Sequence, residues 1–322
     1  MQEHTSKRTA LRRILLPIIA AECCVLLLLM AWAIRSGTTH SDPSADPMPS
    51  QTTEGTTTEN TIGSTVTTAP PENTVGTAYT RAELEALESK SKTYGPGTAL
   101  GGKRPAYADD LQKKYGQYGA NFIAPESNTI YLTFDCGYEY SYQDESGKTV
   151  RVTEWILDTL KEKNVKAVFF VTMPYCKSQP DLVQRMIDEG HAVGNHSNNH
   201  PSSMANLTID EMIYEVMSLH DYVKEHFDYE MHLFRPPTGA FSTQSLAVVH
   251  SLGYKTVHWS FAHNDWSPDN QPDVTKAYNT ITGRHHGGAI YLLHAVSVTN
   301  ATVLGDAIDF FHDQGYELKL FQ

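Results

Sequence analysis

Three regimes of hydrophobic patterning follow one another along this chain. Residues 14–34 are apolar apart from Glu22, about the 20 positions that a helix needs to cross a bilayer. Lys7, Arg8, Arg12 and Arg13 precede this run and few charges follow it, which predicts an N-terminus in the cytoplasm. A cleaved signal peptide competes with this transmembrane anchor, because Ala31-Trp32-Ala33 has the small-x-small form of a cleavage site; the length of the apolar run favours the uncleaved anchor. Glu22 inside a membrane requires a protonated or helix-paired carboxyl. Both readings place everything after residue 35 outside the cytoplasm. The next stretch, 36–93, is rich in Thr, Ser, Pro and Gly as far as residue 80 and holds almost no large apolar side chain. Nothing there offsets the entropy of ordering, so a flexible, disordered stalk is predicted, with a short helix opened by the capping box Thr80–Glu83.

From about residue 94 the pattern alternates between strand and helix. Segments 129–134 (TIYLTF), 166–172 (KAVFFVT), 191–195, 233–235, 256–259, 289–293 and 317–320 read as strands. Helices are predicted at 154–163, 180–189, 243–252, 274–285 and 302–314. Another starts at the capping box Thr208–Glu211, with Ile209, Met212, Ile213, Val216 and Val223 on one face. Repeated strand-then-helix units over residues 94–322 predict one α/β domain, a parallel sheet covered by helices and most simply a barrel. The segment 140–152 reads as a polar loop.

Composition narrows the function. A formal net charge of −12 argues against nucleic acid as a partner, since phosphates would be repelled. An anionic polymer would have to be gripped by shape, hydrogen bonds and aromatic faces, for which 17 Tyr and 4 Trp are present. Of the 4 cysteines, Cys23 and Cys24 lie in the apolar run, leaving Cys136 and Cys176 with no disulfide framework between them.

Parallel barrels carry their chemistry on the loops that follow the strands, and reactive side chains cluster there. Asp135 and Cys136 follow the first strand, and His196 and His200 follow 191–195. Arg235 ends the next strand, Asp265 follows 256–259 and His294 follows 289–293. Singly each is weak: 15 histidines in 322 residues produce about 0.7 His-x-x-x-His pairs by chance, an Asp after a strand most often caps a helix, Arg235 alone could pair with a surface carboxylate, and His294 alone could be a satisfied core histidine. Together they suit amide hydrolysis on a metal. Imidazoles hold the ion and leave a position for water, a carboxylate takes the water's proton, a donor holds the oxyanion and an acid protonates the leaving amine.

Five ordered segments carry a family resemblance. Thr133-Phe134-Asp135-Cys136-Gly137, His196-Ser197-Asn198-Asn199-His200, Arg235-Pro236-Pro237-Thr238-Gly239, Asp265-Trp266 and Leu292-Leu293-His294 resemble the motifs of polysaccharide deacetylases, carbohydrate esterase family 4. Gly137-Tyr138-Glu139, Ser260-Phe261-Ala262 and His294-Ala295-Val296-Ser297 with Asn300-Ala301 resemble the branch acting on N-acetylmuramic acid, which leads to the muramic δ-lactam of spore peptidoglycan. The resemblance implies a distorted (β/α)7-like barrel over residues 94–322. It implies Asp135 as base, His294 as general acid, Arg235 orienting Asp135, and Asp265 tuning His294. His196 and His200 would bind a divalent metal, Zn2+ first among the options. The oxyanion would be held by the metal and the backbone N–H of Thr238, with Gly239, Trp266 and Leu292 in the substrate site and a peptidoglycan glycan strand as partner.

Two positions depart from the family pattern. Where most members have a second, metal-binding Asp, this chain has Cys136; a thiolate is a good zinc ligand, and the opposing reading is a small buried residue beside a two-histidine site. Thr238 stands where other branches commonly carry Tyr, which leaves backbone donation intact and changes the sugar contacts. Two other functions compete: deacetylation of N-acetylglucosamine in peptidoglycan or a chitin-like glycan, and a wall-binding module without catalysis.

Overall fold

The computed structural model describes residues 79–322. The apolar run 14–34 and the stalk up to residue 78 lie outside the described residues; among those described, no helix is long and apolar enough to cross a membrane. Strand β2 (Thr129–Cys136) organises the rest. All eight of its residues are buried, the condition of a parallel strand covered on both faces. Its side chains divide by parity. Ile130, Leu132, Phe134 and Cys136 join the large cluster under the helices, whereas Tyr131 points into a second cluster with Val168, Phe170, Val257 and Ile290 inside the sheet's curl.

The parallel neighbours run β1 (Ala120–Asn121), β8 (Lys255–Val257), β7 (Leu233–Phe234), β6 (Ala192–Asn195), β5 (Val168–Val171) and β2. Strand β9 (Ala289–His294) lies along the other flank of β2, with Ile130 opposite Ala289 and Asp135 opposite His294. The short β10 (Glu317–Leu318) pairs with Thr129 and Ile130. The segment after β8 reaches β9 through Ser260 N–H to Ile290 O and Leu292 N–H to Phe261 O, each 2.9 Å. The result is a curled, half-barrel parallel sheet with helices outside it, the coarser form of the expected barrel.

The nine helices described are α1 (Arg81–Glu85), α2 (Ala106–Tyr115), α3 (Val152–Glu162), α4 (Met173–Ser178), α5 (Pro180–Asp188), α6 (Ile209–Phe227), α7 (Thr243–Ser251), α8 (Val274–Gly283) and α9 (Val298–Asp313). Both capping boxes expected at Thr80 and Thr208 are formed. Helix α1 packs on the domain, with Leu84 wholly buried in the main cluster. Helix α9 starts four residues before the expected 302, because the Ser297 hydroxyl accepts from Asn300 N–H at 3.0 Å and caps it there. Helix α2 has no side-chain cap and buries only Ala108, Leu111 and Tyr115, so its signal is faint. The segment 140–152 contains a hairpin, β3 (Ser141–Gln143) against β4 (Thr149–Arg151), turned by Asp144, whose carboxylate accepts from Ser146 and Lys148 N–H.

Four histidines are buried within this frame. Burial is the leading cause that lowers the pKa of His191, His196 and His286 to about 4 and that of His258 to about 3, from an ordinary 6.5. Each is neutral in the fold and takes up a proton on unfolding once the pH falls below 6.5, so stability is full above 6.5 and declines as the pH falls toward 4. His294, whose pKa is raised, opposes this singly. The metal-free protein should therefore unfold at lower urea concentration at pH 5.5 than at pH 7.5, by on the order of 1 kcal/mol per buried histidine. An equal or higher midpoint at pH 5.5 would contradict the assignment of neutral buried imidazoles.

Candidate active site

The C-terminal ends of β2, β6, β7 and β9 open into one cleft of about 840 Å³. Asp135, His196, His200, Thr238, Gly239, Trp266, Leu292 and His294 all line it. Arg235 lies directly behind Asp135: its Nη1 donates to Asp135 Oδ1 at 2.8 Å, Nε to Val257 O at 3.0 Å and Nη2 to His258 O at 3.2 Å. The guanidinium also stacks 4.2 Å from the Phe170 ring centroid. Burial works against the Asp135 charge, but the attraction and hydrogen bond of Arg235 overcome it and hold the carboxyl below its usual range.

Beside Asp135 on the neighbouring strand β9, His294 Nδ1 donates to Asp265 Oδ1 at 2.7 Å, and His294 N–H donates to Asp265 Oδ2 at 2.9 Å. Asp265 is wholly buried and also accepts from Asn300 Nδ2 at 2.5 Å. Burial disfavours the His294 imidazolium, yet the hydrogen bond and charge of Asp265 prevail and the pKa is raised. With Nδ1 committed to Asp265, Nε2 is the atom left to exchange a proton in the cleft.

The histidine loop is built with equal care. Asn195 Oδ1 accepts from Ser197 N–H at 2.8 Å, and the buried Glu215 carboxylate accepts from Asn199 N–H and Nδ2 at 2.8 and 2.7 Å. Ser197, His200 and Thr238 are three of the five described non-glycine residues with left-handed φ, at 72°, 52° and 59°. Strain of this kind collects where surrounding contacts over-determine the backbone. The His196 and His200 ring centroids are 4.8 Å apart.

His196 Nδ1 lies 2.9 Å from Arg235 O and must donate to that carbonyl. Its Nε2 is then an acceptor, and it lies 3.4 Å from Asp135 Oδ2, also an acceptor. Two buried acceptors face each other, which is the arrangement a cation relieves, so the residues fit a divalent metal. Among the described residues no group of three or more His, Cys, Asp and Glu forms a metal cage. Cys136 does not join the histidines: one position beyond Asp135 on the strand, it faces the helices, wholly buried with Tyr175 and Cys176, and burial is the leading cause raising its pKa well above the ordinary thiol. Cys136 is thus on the helix side of the strand and not among the residues lining the cleft.

Several cleft residues had no role in the sequence reading. Tyr138, 53% exposed, presents an open aromatic face at the mouth beside the expected Trp266, 63% exposed. Thr172 and Pro174 follow β5 as His196 follows β6, so their strand-end position was the available signal. Trp259 lies against Gly239, where an added Cβ would meet the indole Cη2 at 2.4 Å. Asn300, one of the residues that carry the branch resemblance, and His263 are joined by a 3.0 Å hydrogen bond and brace Asp265; His263 carried no such signal.

Residues 123–257 match the polysaccharide deacetylase family. The chain is 38% identical over 240 residues to the peptidoglycan-N-acetylmuramic acid deacetylase PdaA of Bacillus subtilis, covering 74% of this chain and 87% of that protein. It is 43% identical over 217 residues to an uncharacterized 30.6 kDa protein of Geobacillus stearothermophilus, covering 67% and 78%. The solved structure of B. subtilis PdaA, a family 4 carbohydrate esterase, superposes with a TM-score of 0.66, covering 72% of this chain and 95% of that one.

Among the groups that raise the His294 pKa against burial, Asp265 leads and Asp135 adds to it, so Asp265→Asn should lower it. NMR titration of the imidazole checks this, and an unchanged or higher value would remove Asp265 from that role.

Proposed function

This chain belongs to the polysaccharide deacetylase family, and on that premise we propose that it hydrolyses the N-acetyl amide of N-acetylmuramic acid in peptidoglycan. The observation that carries the reading is a matched pair of proton carriers in one cleft: Asp135 kept ionised by Arg235, and His294 kept protonatable by Asp265. Similarity to PdaA over most of both chains supports muramic acid over glucosamine as the sugar.

Family 4 deacetylases generally depend on a divalent metal. His196 and His200 would hold such an ion, Zn2+ being the expected one, and it would lower the pKa of a water ligand and polarise the acetyl carbonyl. Asp135 takes the proton of the attacking water, and the buried Arg235 keeps its carboxylate aimed and charged. The backbone N–H of Thr238 donates to the developing oxyanion. His294 then passes a proton from Nε2 to the departing amine, and Asp265 stabilises the imidazolium until it does. The residues lining the cleft include no Lys or Arg, so the sugar is gripped by shape and by the faces of Tyr138 and Trp266, with Leu292 beneath it.

Deacetylation of glucosamine and non-catalytic wall binding remain as outcomes of the test. Mass spectrometry of peptidoglycan glycan strands after incubation with the protein should show acetyl loss on muramic acid. Loss confined to glucosamine replaces the substrate, and no loss on either sugar favours the binding module. Asp135→Asn should nearly eliminate turnover, and His294→Ala should lower kcat by about 10²–10⁴.

The metal reading separates by residue. His196→Ala and His200→Ala should lose bound divalent ion together with activity, whereas Cys136→Ala should keep both. Elemental analysis after dialysis against Zn2+ decides, and loss of metal from Cys136→Ala would return the thiolate to the site.

A further inference from the structure

The segment ahead of the barrel is laced along the rear of the oxyanion loop. Gln244 Nε2 donates to Leu84 O at 2.9 Å and Gln244 N–H to Glu88 O at 3.0 Å. The Ser91 and Ser203 hydroxyls share a 2.9 Å hydrogen bond. Lys92 and Phe241 exchange backbone hydrogen bonds of 2.7 and 3.0 Å. This strap ends at Tyr94, whose hydroxyl donates to the carbonyl of Trp259. The Tyr94 ring stands edge-on to His258 and Trp259, at centroid distances of 4.9 and 5.2 Å.

His258 and Trp259 in turn face the site. His258 Nε2 donates to Gly239 O at 3.2 Å, and His258 O accepts from Arg235 Nη2 at 3.2 Å. The Trp259 ring closes on Gly239 and lies 5.7 Å from the Arg235 guanidinium. What they support is a strained turn, for Thr238 and Gly239 are consecutive left-handed residues at φ 59° and 74°. Such a turn persists only while its surroundings hold it. The other brace is the Thr238 hydroxyl, which donates to Ser202 O at 2.9 Å.

We propose that Tyr94 is a positioning residue for the deacetylation reaction: through His258 and Trp259 it fixes the Thr238–Gly239 peptide and the Arg235 guanidinium. The inference rests on the functional reading above. Tyr94 lies outside the five motifs and outside residues 123–257, and it touches the site only through its two neighbours. Displacement of an oriented group by about 1 Å costs about 10²-fold in rate, so a lost brace at the oxyanion side falls on kcat.

The test uses the full chain with Tyr94→Phe, Tyr94→Ala and, as control, Tyr107→Ala, whose ring is 51% exposed and stacks on the outer side of Tyr94. Tyr94→Phe should lower kcat about threefold to tenfold and Tyr94→Ala about 10²-fold, with KM within about twofold and the Tyr107 variant like the parent. Amide hydrogen exchange in 236–241 should accelerate in both Tyr94 variants while that in 129–136 stays at the parent rate. Parent-like exchange in 236–241 overturns the proposal. So does a parent-like kcat, an effect confined to KM, or acceleration shared by β2, which would mark general destabilisation. If the parent itself releases no acetate, the functional reading fails and takes the catalytic part of the proposal with it; exchange in 236–241 then still decides whether Tyr94 holds the loop.

Discussion

Arg235 is among the largest wholly buried side chains of the described residues, and its charge sits at the C-terminal end of the sheet's interior. Withdrawing a guanidinium and a carboxylate from water costs several kcal/mol per ion unless each donor and lone pair is met. Here Asp135 comes from β2, Val257 O from β8 and His258 O from just beyond it, so one ion cluster ties three strand ends together. The cluster is also one-sided: Arg235 occupies Oδ1 of Asp135 and leaves Oδ2 toward the cleft. The base is thus aimed by the same contact that makes its burial tolerable. Losing one partner would leave the other buried and uncompensated, at a cost of about 3–5 kcal/mol.

The remaining electrostatics follow from that anchored carboxylate. His196, neutral by burial, has one nitrogen on the Arg235 carbonyl and so turns a lone pair toward Asp135. The acceptor-to-acceptor approach creates the demand for a cation. Opposite it, in register along β2 and β9, His294 has a raised pKa through Asp265. Two carboxylates in one protein therefore do contrary work: one is shielded by an arginine and stays a proton acceptor, the other faces an imidazole and makes it a donor. Left-handed backbone at Ser197, His200 and Thr238 is the local strain through which these loops reach the cleft.

Much of the fold was legible because its signals are local. The alternation in TIYLTF defines a strand, and Thr208 with Glu211 defines a helix start, through forces acting within a few residues. The elements that escaped are held from afar. Helix α2 buries three residues against a small separate cluster, and the β3–β4 hairpin is polar on its outer face, so neither leaves a strong period in the sequence.

For the site, the chain by itself determined which side chains stand at strand ends, because β/α alternation and strand-end chemistry are both written in residue order. That was enough to name Asp135, His196, His200, Arg235, Asp265 and His294 as candidates for one site. Only the tertiary structure decided where each points. Strand pleating sends Cys136 to the helices and Asp135 to the cleft, although both readings of Cys136 were open in the sequence. Only packing across 165 positions of chain puts the Tyr94 hydroxyl on the Trp259 carbonyl. Such contacts form between residues whose neighbours in sequence say nothing of each other, so they exist as information only once the chain has folded.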